Sequence, residues 1–309
     1  MPVGRWEIPA GSKRCVGGSE IKAVPGEATD RQASILRRDR PGIQAERCLR
    51  CRRLVPLDPP FSTFVPVEYR LARADLEAEQ VQGDTLTVLA LFDDARGCEK
   101  FAQRVLSFRG GRSRERRESG ADEVLYVLAG SGAIAIGEST ASLTPELGIH
   151  VGRGTTWSVE AEGELELLSV LVHDPLPLAP ASRAFVDLGA ASRRSATASR
   201  QFVLGVRPET GCASVTQFIG FVPPGRAPDH FHRYDEVLYI LEGRGVLHIG
   251  GEEAPLGPGA CVHLPAALVH SIENTGDSEL RLLGVFRPGG SPAEAYYPDG
   301  TPAVYPEET

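Results

Sequence analysis

From about Asp58 onward the chain is written in short apolar runs of Val, Leu, Ile, Phe and Tyr, broken by Gly, Pro or Asp every eight to twelve residues. That rhythm predicts antiparallel strands joined by tight turns, in a sandwich or barrel, with long helices nearly absent. The pattern also repeats. Asp122 to Gly137 reads DEVLYVLAGSGAIAIG and Asp235 to Gly250 reads DEVLYILEGRGVLHIG, identical at ten of sixteen positions with an offset of 113. Upstream, Gly97-Cys98 corresponds to Gly211-Cys212; downstream, Leu165 to Val170 (LELLSV) corresponds to Leu280 to Val285 (LRLLGV). One β unit therefore occurs twice, over roughly residues 88–172 and 202–287, with Pro175, Pro177 and Pro180 marking the connection. The expected domains are 58–176 and 177–309.

Residues 1–57 are a different region. They carry twelve Lys/Arg against six Asp/Glu, whereas the rest of the chain carries 21 against 35. Their apolar residues keep no period, so an irregular basic arm is expected, with a short helix around Arg31 to Arg38. The whole 309-residue chain is acidic, with a net charge of −8, which argues against a nucleic-acid partner. No run of 18 apolar residues is present and the first fifteen residues lack the apolar stretch of a secretory signal. A cytoplasmic protein without membrane contact is expected, and a homodimer is compatible with the reading. The six cysteines read as reduced thiols; Cys48 and Cys51 form one C-x-x-C, but a zinc ribbon needs a second ligand pair.

The chemistry concentrates in the second copy. His230, His232 and Glu236 share one parity after Pro223-Pro224-Gly225, so an extended segment aims them at one face. A further imidazole, His270, opens a strand after the turn set by Pro265. Neutral imidazoles with a carboxylate suit a borderline divalent metal such as Fe, Mn, Co, Ni or Zn. His248 and His263 read as packing residues rather than ligands. In the first copy Glu123 matches Glu236, but Arg117, Ser119 and Trp157 stand where His230, His232 and His270 stand in the second. A guanidinium cannot ligate a metal, so that copy is expected to be structural, with Trp157 filling the space of the missing site. Arg109, Arg112, Arg114, Arg116 and Arg117 read as a solvated charged loop, because acidic residues are interspersed among them.

These residues resemble the two motifs of the cupin superfamily. Gly225, His230, His232, Glu236 and Gly243 match the first motif, with one residue fewer between the first Gly and His. Gly259, Pro265, His270 and Asn274 match the second, with Ala267 where Gly is usual. The resemblance implies an all-β bicupin: two tandem jelly-roll barrels after an irregular arm, the second holding one divalent metal ion per chain through His230, His232, Glu236 and His270. Fe(II) is expected first, with Mn, Ni, Co or Zn as alternatives. The function expected first is a metal-dependent enzyme acting on a small-molecule substrate, a non-haem Fe(II)-type dioxygenase of an oxygen-chelating aromatic or enolic compound. The alternatives are Lewis-acid lyase, isomerase or decarboxylase chemistry, and a non-enzymatic small-ligand-binding or storage bicupin. Glu236 is a candidate base, Tyr234 a candidate proton donor, and Arg226 a candidate partner for a substrate carboxylate.

Overall fold

The computed structural model describes residues 68–177, 185–196 and 198–303. The basic arm, the expected helix at Arg31 to Arg38 and the Cys48/Cys51 pair lie outside the described residues. Among the described residues the secondary structure is strand throughout, apart from three single 3₁₀ turns. None of the described helices is long and apolar enough to cross a membrane.

Two β-barrels follow one another, as the repeat predicts. The first is built on a nine-stranded sheet and the second on a seven-stranded and a four-stranded sheet. In each, the repeated segment is a central strand, Ala121–Ala129 or Asp235–Glu242. These strands are apolar on both faces because both are covered. Leu125 and Val127 point into the first barrel, Leu238 and Ile240 into the second, while Val124, Tyr126, Val237 and Tyr239 join one cluster shared by both barrels. At about 1.5–3 kcal/mol for each large apolar side chain fully buried, this shared layer is a substantial part of what unites the two halves. The hairpin that follows each strand turns on a glycine, Gly130 at φ 88° and Gly243 at φ 87°. A Cβ at Gly130 would lie 2.2 Å from the Glu164 carbonyl oxygen, which excludes any other residue at that turn.

The barrels also exchange strands. Arg70–Ala72 lies in the segment assigned from sequence to the first domain, yet it pairs with Ala260–Leu264 of the second barrel. Conversely, Phe185–Asp187 lies beyond residue 176 and pairs with Leu147–Val151 of the first. The two receiving strands are equivalent in the repeat, and Arg70 faces Val262 as Phe185 faces Ile149. Local pattern carries no trace of this exchange, because a three-residue edge strand has no periodicity to read.

Candidate metal centre

In the second barrel His230 and His270 are locked opposite each other by reciprocal backbone bonds of 3.0 and 2.8 Å. His232 follows two residues later, its carbonyl accepting the Ala267 N–H at 2.7 Å. Ala267 thereby sits at φ 65°, the left-handed conformation for which the related motif uses Gly. Asn274 ends the His270–Asn274 strand by donating to the Val222 and Ser278 carbonyls at 2.8 and 2.7 Å, so its part in the second motif is to shape the turn.

Each imidazole is oriented through its Nδ1. His230 donates to the Pro228 carbonyl at 2.8 Å, His232 to the Glu294 carbonyl at 2.7 Å and His270 to the Leu268 carbonyl at 2.9 Å. A carbonyl oxygen only accepts, so each Nδ1 carries the proton and each Nε2 is left with its lone pair. The ligating atoms of the three rings lie within 4.8 Å of one another. Burial, reinforced by the neighbouring rings and the Arg200 charge, pulls His230 down to about 2 and His232 to about 3; burial and Arg200 pull His270 to about 4. All three rings are thus neutral at ordinary pH, the state in which imidazole binds a metal.

Glu236 lines the same chamber and is 3% exposed, but its carboxylate is not part of the 4.8 Å cluster. Burial pushes it up to about 8, against the opposing pull of Arg200. Tyr234 stacks on His232 and Phe286, with ring centroids 4.6 and 4.0 Å apart, and its hydroxyl is buried without a hydrogen-bond partner. The chamber has a volume of about 70 Å³ and is walled by Phe202, Phe218, Leu238 and Ile272. Three neutral nitrogens and a carboxylate, enclosed by apolar walls, fit a first-row divalent ion.

One sequence expectation changes here. Arg226 is not in the chamber: its side chain is exposed and bonded to Asp229 at 2.8 Å, because the Gly225–Arg226 strand lies on the outer edge of the four-stranded sheet. The cation that lines the chamber is Arg200, which acts on Glu236, Tyr234 and the histidines. No sequence signal marked it, since it precedes a short strand, Gln201–Leu204, outside both motifs. His248 sits between Glu273 at 2.9 Å and Glu253 at 3.2 Å on the outer face, and His263 packs on Phe92, so neither joins the centre.

The first barrel closes the equivalent space. Trp157 is buried and its Nε1–H donates to Glu123 at 3.1 Å; Arg104 pairs with the same carboxylate at 2.9 Å, and Ser169 donates to it as well. Of the arginine-rich segment, Arg109, Arg112, Arg114 and Arg117 are exposed, as expected. Arg116 is the exception, drawn inward to Asp84 at 2.7 Å and over the Phe108 and Trp157 rings.

Residues 218–286 match the cupin domain family profile. The chain is 39% identical over 66 residues to the oxalate-binding protein of Thermotoga maritima and 41% identical over 66 residues to quercetin 2,3-dioxygenase of Bacillus subtilis. The matched stretch spans 54% of the former and 19% of the latter. Among solved structures, oxalate decarboxylase of Bacillus subtilis superposes with a TM-score of 0.60 at 13% identity, covering 72% of this chain and 76% of that one. The decarboxylase of Lactobacillus farciminis gives 0.60 at 13%, covering 71% and 86%. Fold, motifs and profile agree: residues 218–286 are a cupin domain, in a chain with the two-barrel cupin fold.

Proposed function

We propose that the chain is a metal-dependent cupin enzyme acting on a small organic acid that chelates through oxygen. The observation that carries this reading is the size and charge of the chamber. At about 70 Å³ the chamber is about half the size of a cavity that takes one benzene ring, about 150 Å³, so it is too small for a multi-ring aromatic substrate but suited to a small acid. The half-buried Arg200 supplies the positive charge that orients a carboxylate there. Two relatives support the same substrate class by their names, an oxalate-binding protein and an oxalate decarboxylase, the latter with Mn(II) centres in Bacillus subtilis.

A bound divalent ion would be held by His230, His232, His270 and Glu236 and would supply Lewis acidity toward the chelated oxygens. The protein's own part is to hold the imidazoles neutral and aimed, to exclude water with the apolar walls, and to keep a proton on the Tyr234 hydroxyl, whose pKa burial holds well above its ordinary value. On this reading, non-redox lyase or decarboxylase chemistry with Mn(II) comes first. Fe(II) dioxygenase chemistry is the second reading, favoured by the identity to quercetin 2,3-dioxygenase.

The test is to load the protein separately with Mn(II), Fe(II) and Zn(II) and to follow CO2 release and O2 uptake with small dicarboxylic and 2-oxo acids. CO2 release without stoichiometric O2 uptake supports the first reading. Stoichiometric O2 uptake with only the iron form supports the second. Tight retention of an acid without turnover in any metal form makes the chain a binding protein and overturns both.

A further inference from the structure

The seam between the barrels holds a second cluster of ligating residues that plays no part in the cavity above. Asp122 is on Ala121–Ala129 and His150 is on Leu147–Val151, both in the first barrel; Cys212 follows the Pro208–Thr210 turn of the second. Their exposures are 0%, 4% and 0%, and their ligating atoms lie within 4.8 Å of one another. Strand parity places them there. Asp122 shares the face of Val124 and Tyr126, which looks at the other barrel, whereas Glu123 looks into its own.

Two inward atoms of this trio have no hydrogen-bond partner. Asp122 accepts the Arg153 N–H at 2.9 Å on Oδ1, but Oδ2 has no hydrogen-bond partner; neither has His150 Nε2, which stands 3.9 Å from it. A separation of 3.9 Å is too long for a hydrogen bond and too short for a water between them. Without an ion these two buried atoms pair only as imidazolium and carboxylate at that distance, Asp122 and Cys212 raising His150 to about 9 against burial, a buried charge pair that is costly without a hydrogen bond. A divalent cation removes that cost. It would bond to both orphans and to the thiolate, and the charges of thiolate, carboxylate, neutral imidazole and metal sum to zero in a region that cannot hold net charge.

The repeat builds the same trio twice. Asp235, His263 and Cys98 are the counterparts of Asp122, His150 and Cys212, and the Ala266 N–H bonds Asp235 Oδ1 as the Arg153 N–H bonds Asp122 Oδ1. Among the described residues this second set does not close to the same spacing. Asp235 is only half-buried and pairs across the sheet with Arg287, where Asp122 pairs with Val172. The His263 ring turns toward Phe92 at 5.7 Å. One seam position is thus sealed and convergent, and its counterpart is not.

We propose that Asp122, His150 and Cys212 form a structural site for a divalent cation of the zinc class, which clamps the first barrel to the second. A sulfur, a nitrogen and an oxygen donor select zinc or cobalt over the harder ions that an oxygen-only site takes. The complete burial of Cys212 leaves no route for a substrate, so the site is structural rather than catalytic.

The test uses full-length protein produced with cobalt in the growth medium, so that the ion is present while the barrels assemble, in a His230→Ala/His232→Ala background that removes the barrel centre. The expected result is about one equivalent of cobalt retained after dialysis, with a near-ultraviolet thiolate-to-cobalt charge-transfer band that a nitrogen and oxygen site cannot give. Adding Cys212→Ser should abolish the band and lower cobalt retention at least ten-fold. Cys98→Ser, an equally buried control, should change neither. Near-ultraviolet circular dichroism checks that each variant is folded; if Cys212→Ser does not fold, Asp122→Asn is the second variant, expected to lower retention ten-fold. Absence of cobalt and of the band in the starting background, or a band that survives Cys212→Ser, overturns the proposal.

Discussion

The two barrels share a strand, a turn and a glutamate, yet they treat that glutamate in opposite ways. In the first, Glu123 is bonded by Trp157, Arg104 and Ser169, so its charge is matched by a guanidinium and the space around it is filled. In the second, the same positions hold His270, Phe218 and Gly284, as the strand register confirms: Arg104 faces Ser169 where Phe218 faces Gly284. Gly284 is what lets Phe218 lie in place, since a Cβ there would come within 2.2 Å of its ring. Glu236 is raised to about 8 by burial, against the pull of the Arg200 charge, and sits beside three neutral imidazoles. One duplicated scaffold has thus become a packed core on one side and an electrostatically incomplete chamber on the other. The difference rests on a handful of side chains.

The largest effect is expected from removing the imidazoles. His230→Ala/His232→Ala should lower bound metal by one equivalent and turnover by at least ~100-fold, since even indirect ligand perturbations reach that size. Elemental analysis beside a turnover assay checks it, and unchanged metal content would break the contrast between the barrels. Next comes the packed side. Trp157→Ala should destabilise the protein by about 3–5 kcal/mol, as large-to-small changes in well-packed cores do, while leaving metal content intact. Denaturant unfolding reads this; a stable variant with lost activity would instead give the first barrel a direct chemical role.

The sequence made this contrast visible because it lies in residue types at homologous positions of a repeat. His230, His232 and His270 against Arg117, Ser119 and Trp157 is an alignment of the chain with itself. The further partners of Glu123 were within reach of the same alignment, through LELLSV against LRLLGV, which sets Ser169 against Gly284. Arg200 was not legible, because it enters the chamber from a connection that the repeat does not cover. Nor was the Glu294 carbonyl that orients His232, since a backbone acceptor 62 residues away has no residue signature. Arg226 misled for the opposite reason: sequence proximity to the ligands placed it at the site, and the pleat turned it to solvent beside Asp229. The seam trio was half visible, as Cys98 and Cys212 stood out in the repeat while the faces of Asp122 and His150 awaited the barrel packing.

A smaller effect is expected from the contact between Arg73, which follows the exchanged strand, and Glu166 of the first barrel. The Arg73 hydrogen bond holds the Glu166 carboxyl below its ordinary 4.5, against desolvation. A carboxylate depressed in the folded state contributes stability that is present above pH 4.5 and is lost as pH falls through the lowered folded value. Glu166→Gln should therefore flatten the acid limb of the stability curve and lower stability at neutral pH. An acid limb identical to the parent's would remove this pair from the seam's electrostatics. The smallest effect belongs to Ala267, held at φ 65° beside His232. Ala267→Gly should relieve the left-handed backbone and raise stability by about 1 kcal/mol, with metal affinity unchanged. A loss of stability would show that the turn is not strained.

The claim that one barrel keeps an ion and the other keeps a tryptophan is tested most directly by crystals of metal-loaded protein measured at the absorption edge of the bound metal. An anomalous peak is expected within bonding distance of the Nε2 atoms of His230, His232 and His270, and none inside the first barrel. A peak beside Glu123, or no peak at the three imidazoles, would contradict it.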